Sequence, residues 1–304
     1  KLKYDIIYRN ISKINIKNKK NIFFTSLKRN IVFDFYYSLL IIFEILKIFL
    51  KNFLILSKSE RLFLMDSISF KNIFSSLSNI IETNKIIELV KKGNSKKIFL
   101  TLEGYAWEKL LCYKLRKLNK NIIIYGYYFS IISKYQFFPF EKINSIFSPD
   151  FILTSGEIIK KKFISKNYDK YKIINIGTYK NYNYKFHNKL NFKCLILSES
   201  SIDELEFLLQ FANNICKNYS DINFILRLHP DVFQKFDKNH LKYILKNNNI
   251  TISKNTLLND IKSCSTTLYR SSGSAVQAAM IGSYPIYLKK KNELSIDPLY
   301  EINK

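Results

Sequence analysis

Ile225-Leu226-Arg227-Leu228-His229-Pro230 is the stretch whose reading decides the fold. The run from Ile222 to Leu228 is apolar enough for a strand buried on both faces, and it stops at a His-Pro corner. Pro230 has no N–H to continue a ladder and holds His229 in an extended conformation. His229 therefore stands at the carboxyl end of a strand, where open α/β sheets bind their ligands. Arg227 alternates with His229 and shares its face. A second stretch, Tyr269-Arg270-Ser271-Ser272-Gly273-Ser274, has the same logic. A short strand, Thr266 to Tyr269, runs into hydroxyl residues and a glycine, and a helix over about Ala275 to Met280 comes next. Hydroxyls and open N–H groups at a helix start suit a phosphate. Arg270 adds a cation, and Gln277, one turn into the helix, is placed to meet a ribose.

Working outward, strands and helices alternate. On the C-terminal side, Cys194–Leu197 reads as a strand, Asp203–Tyr219 as a helix that Ser198–Ser201 caps, Ile250–Ser253 as a strand and Leu257–Ser263 as a helix. A helix near Leu241–Lys246 and a last strand over Pro285–Leu288 complete the half. On the N-terminal side, Lys97–Leu102, Asn121–Tyr125, Phe151–Thr154 and Tyr171–Ile176 read as strands, and Trp107–Leu118 as a helix. A possible first strand, Lys3–Tyr8, precedes a polar Asn/Lys-rich loop. Alternation through both halves predicts two Rossmann-like domains facing each other across a cleft, residues 1–180 and 190–304. The aperiodic stretch Gly177–Asn191 is the linker, and a helical insertion covers about 31–95.

Ile31–Leu56 is the most apolar region, interrupted by Asp34, Glu44, Lys47 and Lys51. A charge at bilayer depth costs roughly 2.5–3.5 kcal/mol, so four of them argue against a spanning helix. The expectation is a long buried helix or helical hairpin, with an interfacial helix on anionic lipid as the alternative.

Of the 304 residues 49 are Lys or Arg against 24 Asp or Glu, giving a net charge of +25. Lys, Asn, Ile, Phe and Tyr dominate, the set that A/T-rich codons write, so much of this charge need not be functional. The lysines are spread along the chain, without an arginine-rich arm, an aromatic RNA-binding box or zinc-finger spacing, so no nucleic acid is expected as partner. Cys112, Cys194, Cys216 and Cys264 lie far apart with no CxxC pair, which indicates neither a metal nor a disulfide framework and fits a reducing compartment. GxGxxG, Walker and HExxH motifs are absent, as is a nucleophile elbow. Three clusters are left. Two are the His-Pro corner and the serine turn. The third is Glu103, at a strand end before Gly104, where a carboxylate can act as general base; Glu108, one turn on, is the rival acid.

Taken together, Glu103-Gly104, Arg227-Leu228-His229-Pro230 and Ser271-Ser272-Gly273-Ser274 resemble the three landmarks of GT-B glycosyltransferases that use CMP-activated sugars, the bacterial sialyltransferase and polysialyltransferase-like enzymes of surface polysaccharides. The resemblance implies a GT-B fold, Glu103 as base, a His-Pro grip on CMP and a serine-rich hold on its phosphate. The tail Leu294-Ser295-Ile296-Asp297-Pro298-Leu299-Tyr300 looks like that of surface-carbohydrate biosynthesis proteins of the same kind. There are two departures: Leu102 stands where the pattern has an acid, and Gln277 where many GT-B enzymes carry a ribose-binding Glu. The resemblance further implies an inverting, metal-independent transfer from a CMP-linked nonulosonic acid to a glycan or lipid-linked glycan. No cofactor is implied beyond the donor co-substrate. The enzyme is expected in the cytoplasm, with peripheral contact to the inner face of an anionic membrane an open alternative. Two other readings stay open: a GT-B transferase or epimerase using a UDP-sugar, and a non-catalytic basic α/β protein binding nucleic acid.

Overall fold

Parallel strands cannot be joined by tight hairpins; each pair needs a crossover, usually a helix packed on the sheet. The computed structural model, described over residues 6–9, 22–25, 31–178, 191–230, 232 and 247–301, is built almost wholly on that rule. The described chain divides into two units, one running to Tyr128 and resuming over Phe138–Gly177, the other made of Phe129–Phe137 and the residues from Thr178 on.

The first unit opens with a parallel pair, β1 (Ile6–Arg9) and β2 (Ile22–Thr25). Three helices come after it: α1 (Ile31–Asn52), α2 (Lys58–Asp66) and α3 (Phe70–Gly93). Next are β3 (Lys97–Thr101), α4 (Ala106–Leu118), β4 (Ile123–Tyr128), β5 (Phe151–Thr154), α5 (Glu157–Ser165) and β6 (Ile173–Asn175). β3 to β6 form one parallel sheet in sequence order. Ile86 and Val90 of α3 and Leu111, Cys112 and Leu115 of α4 pack on Leu100, Ile122 and Ile124. On the other face Phe99, Tyr125 and Phe151, register partners on adjacent strands, stack at 4.7 and 5.3 Å between ring centroids.

The second unit holds β7 (Lys193–Leu197), α6 (Ile202–Asn218), β8 (Asn223–Arg227), β9 (Ile250–Ile252), α7 (Leu257–Ser263), β10 (Thr266–Tyr269), α8 (Ser274–Ile281) and β11 (Tyr284–Tyr287). Its sheet is parallel, in the order β11-β10-β7-β8-β9. The chain builds outward from β7 through β8 to β9, then crosses back to lay β10 and β11 on the other side. β7 is thus the strand at which the order reverses. Its alternate residues enter two different cores. Cys194 and Ile196 pack with Leu205, Leu208 and Ala212 of α6, whereas Leu195 and Leu197 pack with Ile261, Ala275 and Ala278 of α7 and α8. Burial on both faces is why this strand is a continuous apolar run.

Three expectations are corrected. The Asn/Lys-rich stretch read as loop contains β2, a strand too short to announce itself by alternation. The apolar segment after Ile31 is helical, but none of α1's residues is buried. α1 is rich in apolar residues, so its composition mimics a core helix, while among the described elements it packs chiefly against α3 and α2. Segment Phe129–Phe137, expected with the N-terminal half, groups with the second unit. The helix expected near Leu241–Lys246 lies outside the described residues. All four cysteines are buried, and burial pushes the Cys112 thiol up to about 12.

α4 is tied to α3 by Lys114, whose Nζ donates to Asn84 Oδ1 (2.7 Å), Thr83 Oγ1 (2.8 Å) and the Ile80 carbonyl (3.4 Å). None of these partners is a carboxylate, and burial lowers the Lys114 pKa to about 8. Below that pH the ammonium is charged both folded and unfolded and its desolvation cost is felt in full; as pH rises toward the ordinary lysine range, the folded state sheds the proton first and the cost disappears. Wild type should therefore gain stability relative to Lys114→Met between about pH 8 and pH 10.5. Urea unfolding across that window checks this; a constant difference would mean the charge is not desolvated.

Candidate functional site

The carboxyl ends of β7, β8 and β10 carry the second unit's polar groups. Ser198, one residue past β7, is buried and bonded both ways: its Oγ donates to the Arg227 carbonyl (3.1 Å) and accepts from the His229 N–H (2.8 Å). Its own N–H also reaches the Arg227 carbonyl, at 3.3 Å. The His-Pro corner is thereby pinned to the neighbouring strand rather than left to its proline alone. The Val232 N–H donates back to the His229 carbonyl at 3.0 Å.

Glu199 is the next residue. Its Oε1 is buried with no hydrogen-bond partner. Burial pushes its carboxyl above the usual carboxylate range, and Glu204 adds to the push; His229 and the Ser271 and Ser272 hydroxyls act the other way. Glu199, His229, Ser271 and Ser272 are therefore electrostatic neighbours, brought together by strands adjacent in the sheet and distant in sequence. They lie at the carboxyl ends of the strands on either side of the order reversal, where doubly wound sheets place their ligand crevice.

No side chain caps α8, so the hydroxyls preceding it are not used up as caps. Ser272 is buried, while Ser271, Ser274 and Gln277 are partly exposed. A Cβ on Gly273 would sit 2.9 Å from Ile131 Cδ1, so a larger residue in this turn requires the end of the Ile131 side chain to shift. Arg270, read as a phosphate cation, is fully buried, and its guanidinium is engaged by Glu204, Glu293 and the Leu288 carbonyl (2.7 Å to the last). It holds the serine turn from behind. Asp297 of the tail accepts from the Tyr269 hydroxyl at 2.9 Å and from the Leu299 N–H at 2.8 Å, fixing the end of β10.

Arg227 is also engaged. Its Nη1 donates to Asp260 Oδ2 and to the Asn255 carbonyl, each at 2.8 Å, and Ser253 Oγ donates to the same carboxylate oxygen at 2.6 Å. Arg227, Leu228, Pro230, Ser253, Lys254 and Asn255 border an open polar hollow of about 260 Å³.

In the first unit, β3 ends at Leu102 and leads into Glu103-Gly104. Gly104 has φ +91°, and a Cβ there would meet Phe138 Cβ at 2.7 Å. The Glu108 carboxylate, buried, accepts from the N–H groups of Glu103 (3.0 Å), Gly104 (2.8 Å) and Tyr105 (3.0 Å). Burial pushes its pKa up, the three N–H bonds oppose this, and neighbouring Glu103 adds to the rise. Glu108 thus serves as the clamp of the turn that carries half-buried Glu103. A cavity of about 20 Å³, room for one water, lies beneath and is lined by Glu108, Gly104, Phe138 and Pro139 among others.

No protein-family model matches the chain, and no curated protein is similar to it in sequence. Solved structures do match. UDP-GlcNAc 2-epimerase from Neisseria meningitidis, bound to UDP-GlcNAc, superposes with TM-score 0.51 at 12% identity over 77% of this chain and 68% of its own. UDP-N-acetylglucosamine 2-epimerase from Rickettsia bellii gives 0.46 at 14% identity over 70% and 61%. S. aureus MnaA, in a co-structure with UDP, gives 0.47 at 12% over 74% and 69%. The fold is GT-B-like. The chain spans about 61–69% of the length of these proteins. The GT-B-like second unit brings His229 together with Ser271 and Ser272 and assigns both arginines to internal ion pairs. Sequence reasoning missed Ser198 and Glu199, taken there only as the start of a helix. Their signal was available: a polar Ser-Glu directly after an apolar strand, the same position relative to β7 that His229 occupies relative to β8.

Ser198→Ala leaves the His229 N–H without its partner, so unfolding free energy should fall by about 1–3 kcal/mol. Denaturant melts check this, and a loss below about 0.5 kcal/mol would show that the corner stands without the clamp.

Proposed function

We propose that the second unit binds a nucleotide-sugar, its phosphate held between the His229 imidazole and the Ser271–Ser272 turn at the uncapped start of α8, and that the chain is a GT-B-type sugar-nucleotide enzyme. One observation carries this: His229, Glu199, Ser271 and Ser272 are gathered at the carboxyl ends of strands flanking the reversal of strand order. Imidazole, hydroxyls and open N–H groups are an anion's donors, fixed in advance and needing no reorganisation. A carboxyl whose pKa burial has raised does not oppose such an anion as an ordinary carboxylate would, because the arriving charge favours its protonated form, which can donate. The hollow beside Arg227 and Pro230 adjoins His229 and would take the nucleoside end.

For the reaction, Glu103 takes a proton from an acceptor hydroxyl as the sugar carbon bonds to that oxygen and the nucleotide leaves with inversion. The protein groups around the phosphate stabilise the leaving charge. A UDP-linked sugar is favoured over the CMP-linked sugar that the landmark order implied, because the neighbour of TM-score 0.51 was solved with UDP-GlcNAc. That neighbour also favours a second reading, epimerisation at the sugar, in which no acceptor is consumed.

Thermal-shift assays with UDP, CMP and GDP and their sugars separate these readings, since a ligand at a hundred times its Kd adds about 2.7 kcal/mol. UDP should give the largest shift. His229→Ala should weaken binding about tenfold or more; unchanged affinity removes His229 from the site. Glu103→Gln should retain the shift and lose turnover, and a variant with wild-type turnover would place the base elsewhere. Glu199→Gln should bind at neutral pH at least as tightly as wild type, because it removes a negative charge that must otherwise be lost by proton uptake when the phosphate arrives; weaker binding would make Glu199 a group the ligand needs ionised.

A further inference from the structure

α1 is 22 residues long and has no buried residue. One side packs toward α3. The opposite side is a stripe at helical spacing, Val32, Phe35, Leu39, Phe43, Leu46 and Leu50, whose members are 40–78% exposed. The stripe continues past the helix end, where Leu54 is 92% and Ile55 84% exposed, and onto α2 at Leu62 and Phe63. Apolar surface this continuous on a solvent-facing side is a contact surface. Its charge says what covers it. From Phe43 to Phe63 stand Lys47, Lys51, Lys58 and Arg61 against two acids: Glu44 lies 3.7 Å from Lys47, and the Glu60 carboxylate is turned back on the Ser57 N–H and hydroxyl at 2.7 and 2.6 Å. The guanidinium of Arg61 lies 4.3 Å from the Phe53 ring centroid, so the cations rim the apolar tip. The whole chain carries +25. Among the described residues no helix is long and apolar enough to cross a membrane.

We infer that the α1–α2 corner is a membrane-docking wedge: Leu54, Ile55, Leu62 and Phe63 enter the headgroup–acyl boundary of an anionic bilayer, α1 lies along the surface, and the rim lysines meet lipid phosphates. An apolar face with a basic rim is what interfacial binding needs, and a spanning segment is not. A second copy of this chain would bring the same basic rim against itself. Docking of this kind does not depend on the nucleotide reading.

Sedimentation of the full chain with vesicles tests it, using phosphatidylcholine alone and roughly one part phosphatidylglycerol to two parts phosphatidylcholine. Wild type should sediment with the anionic vesicles, and less so as salt rises. Leu54→Glu/Ile55→Glu, at positions already in solvent, should keep its melting temperature and lower partitioning about tenfold or more. Lys51→Glu/Lys58→Glu should lose the preference for anionic vesicles while keeping the apolar tip, and it carries the test if the first variant misfolds. The inference is overturned if wild type does not sediment, if both variants bind as wild type does, or if light scattering shows a dimer that Leu54→Glu/Ile55→Glu converts to a monomer.

Discussion

A parallel ladder ends where its strands end, and beyond that point nothing in the sheet fixes the chain. In the second unit a single hydroxyl extends the fixed region by two residues. Ser198 Oγ stands between the Arg227 carbonyl and the His229 N–H, with its own N–H on the same carbonyl. A proline alone would set His229's backbone region but not its distance from β7. The clamp sets that distance, and with it the spacing of His229 from Glu199, the next residue along from Ser198. Remove that constraint and the imidazole loses its fixed distance from the Glu199 carboxyl, while the serine turn keeps its own ties through Arg270 and Tyr269.

The arginines show a second constraint. A chain of net charge +25 has cations in excess, yet the two arginines beside the candidate site are held internally, Arg227 on Asp260 and Arg270 on Glu204 and Glu293. Lys290 shares Glu204 at 2.7 Å, so the Arg270 cluster is close to neutral. Breaking a buried pair from one side costs about 3–5 kcal/mol, which makes the buried Arg270 scaffold rather than a mobile ligand. Among the described residues, the donors of the proposed anion site are then hydroxyls, backbone N–H groups and the His229 imidazole. Such donors act at short range and in fixed directions, which suits a phosphate seated in one orientation better than a diffuse polyanion. The positive field that a nucleic acid would track lies instead in lysines scattered along the chain.

How much of this was legible in the sequence depends on range. β7 and β10 were readable because burial on both faces writes a continuous apolar run; the strand Thr266–Tyr269 and the helix Leu257–Ser263 match to the residue. His229 and the serine turn were readable because Pro230 and Gly273 punctuate the chain where they stand. The ion pairs of Arg227 and Arg270 could not be read locally, because their acids lie 33 residues away for Arg227 and 23 and 66 for Arg270 along the chain. The surroundings of Glu199 were invisible for the same reason: they come from the ends of β8 and β10. α1 was misread because composition reports how apolar a helix is, not whether anything covers it. β2 was missed because four residues are too few to show a period.

The residues around Glu103-Gly104 show how a departure from the pattern they resemble can have a local cause. The pattern has two acids before the glycine; here the first position is Leu102. Its N–H continues the ladder to the Tyr127 carbonyl at 2.9 Å, and its side chain is buried against Gly126, where an added Cβ would come within 3.1 Å of Leu102 Cδ2. Alternation then turns the next residue, Glu103, the other way. An acid at 102 would lose its water for no partner, a cost of several kcal/mol that its pKa would absorb by neutralising it. Glu108 is no substitute, because its lone pairs hold three N–H groups of the turn and withdrawing them would release the loop that presents Glu103. With 102 closed to charge and 108 committed to the backbone, the proton acceptor proposed for this unit comes down to one carboxylate, carried on a turn that only Gly104 can make.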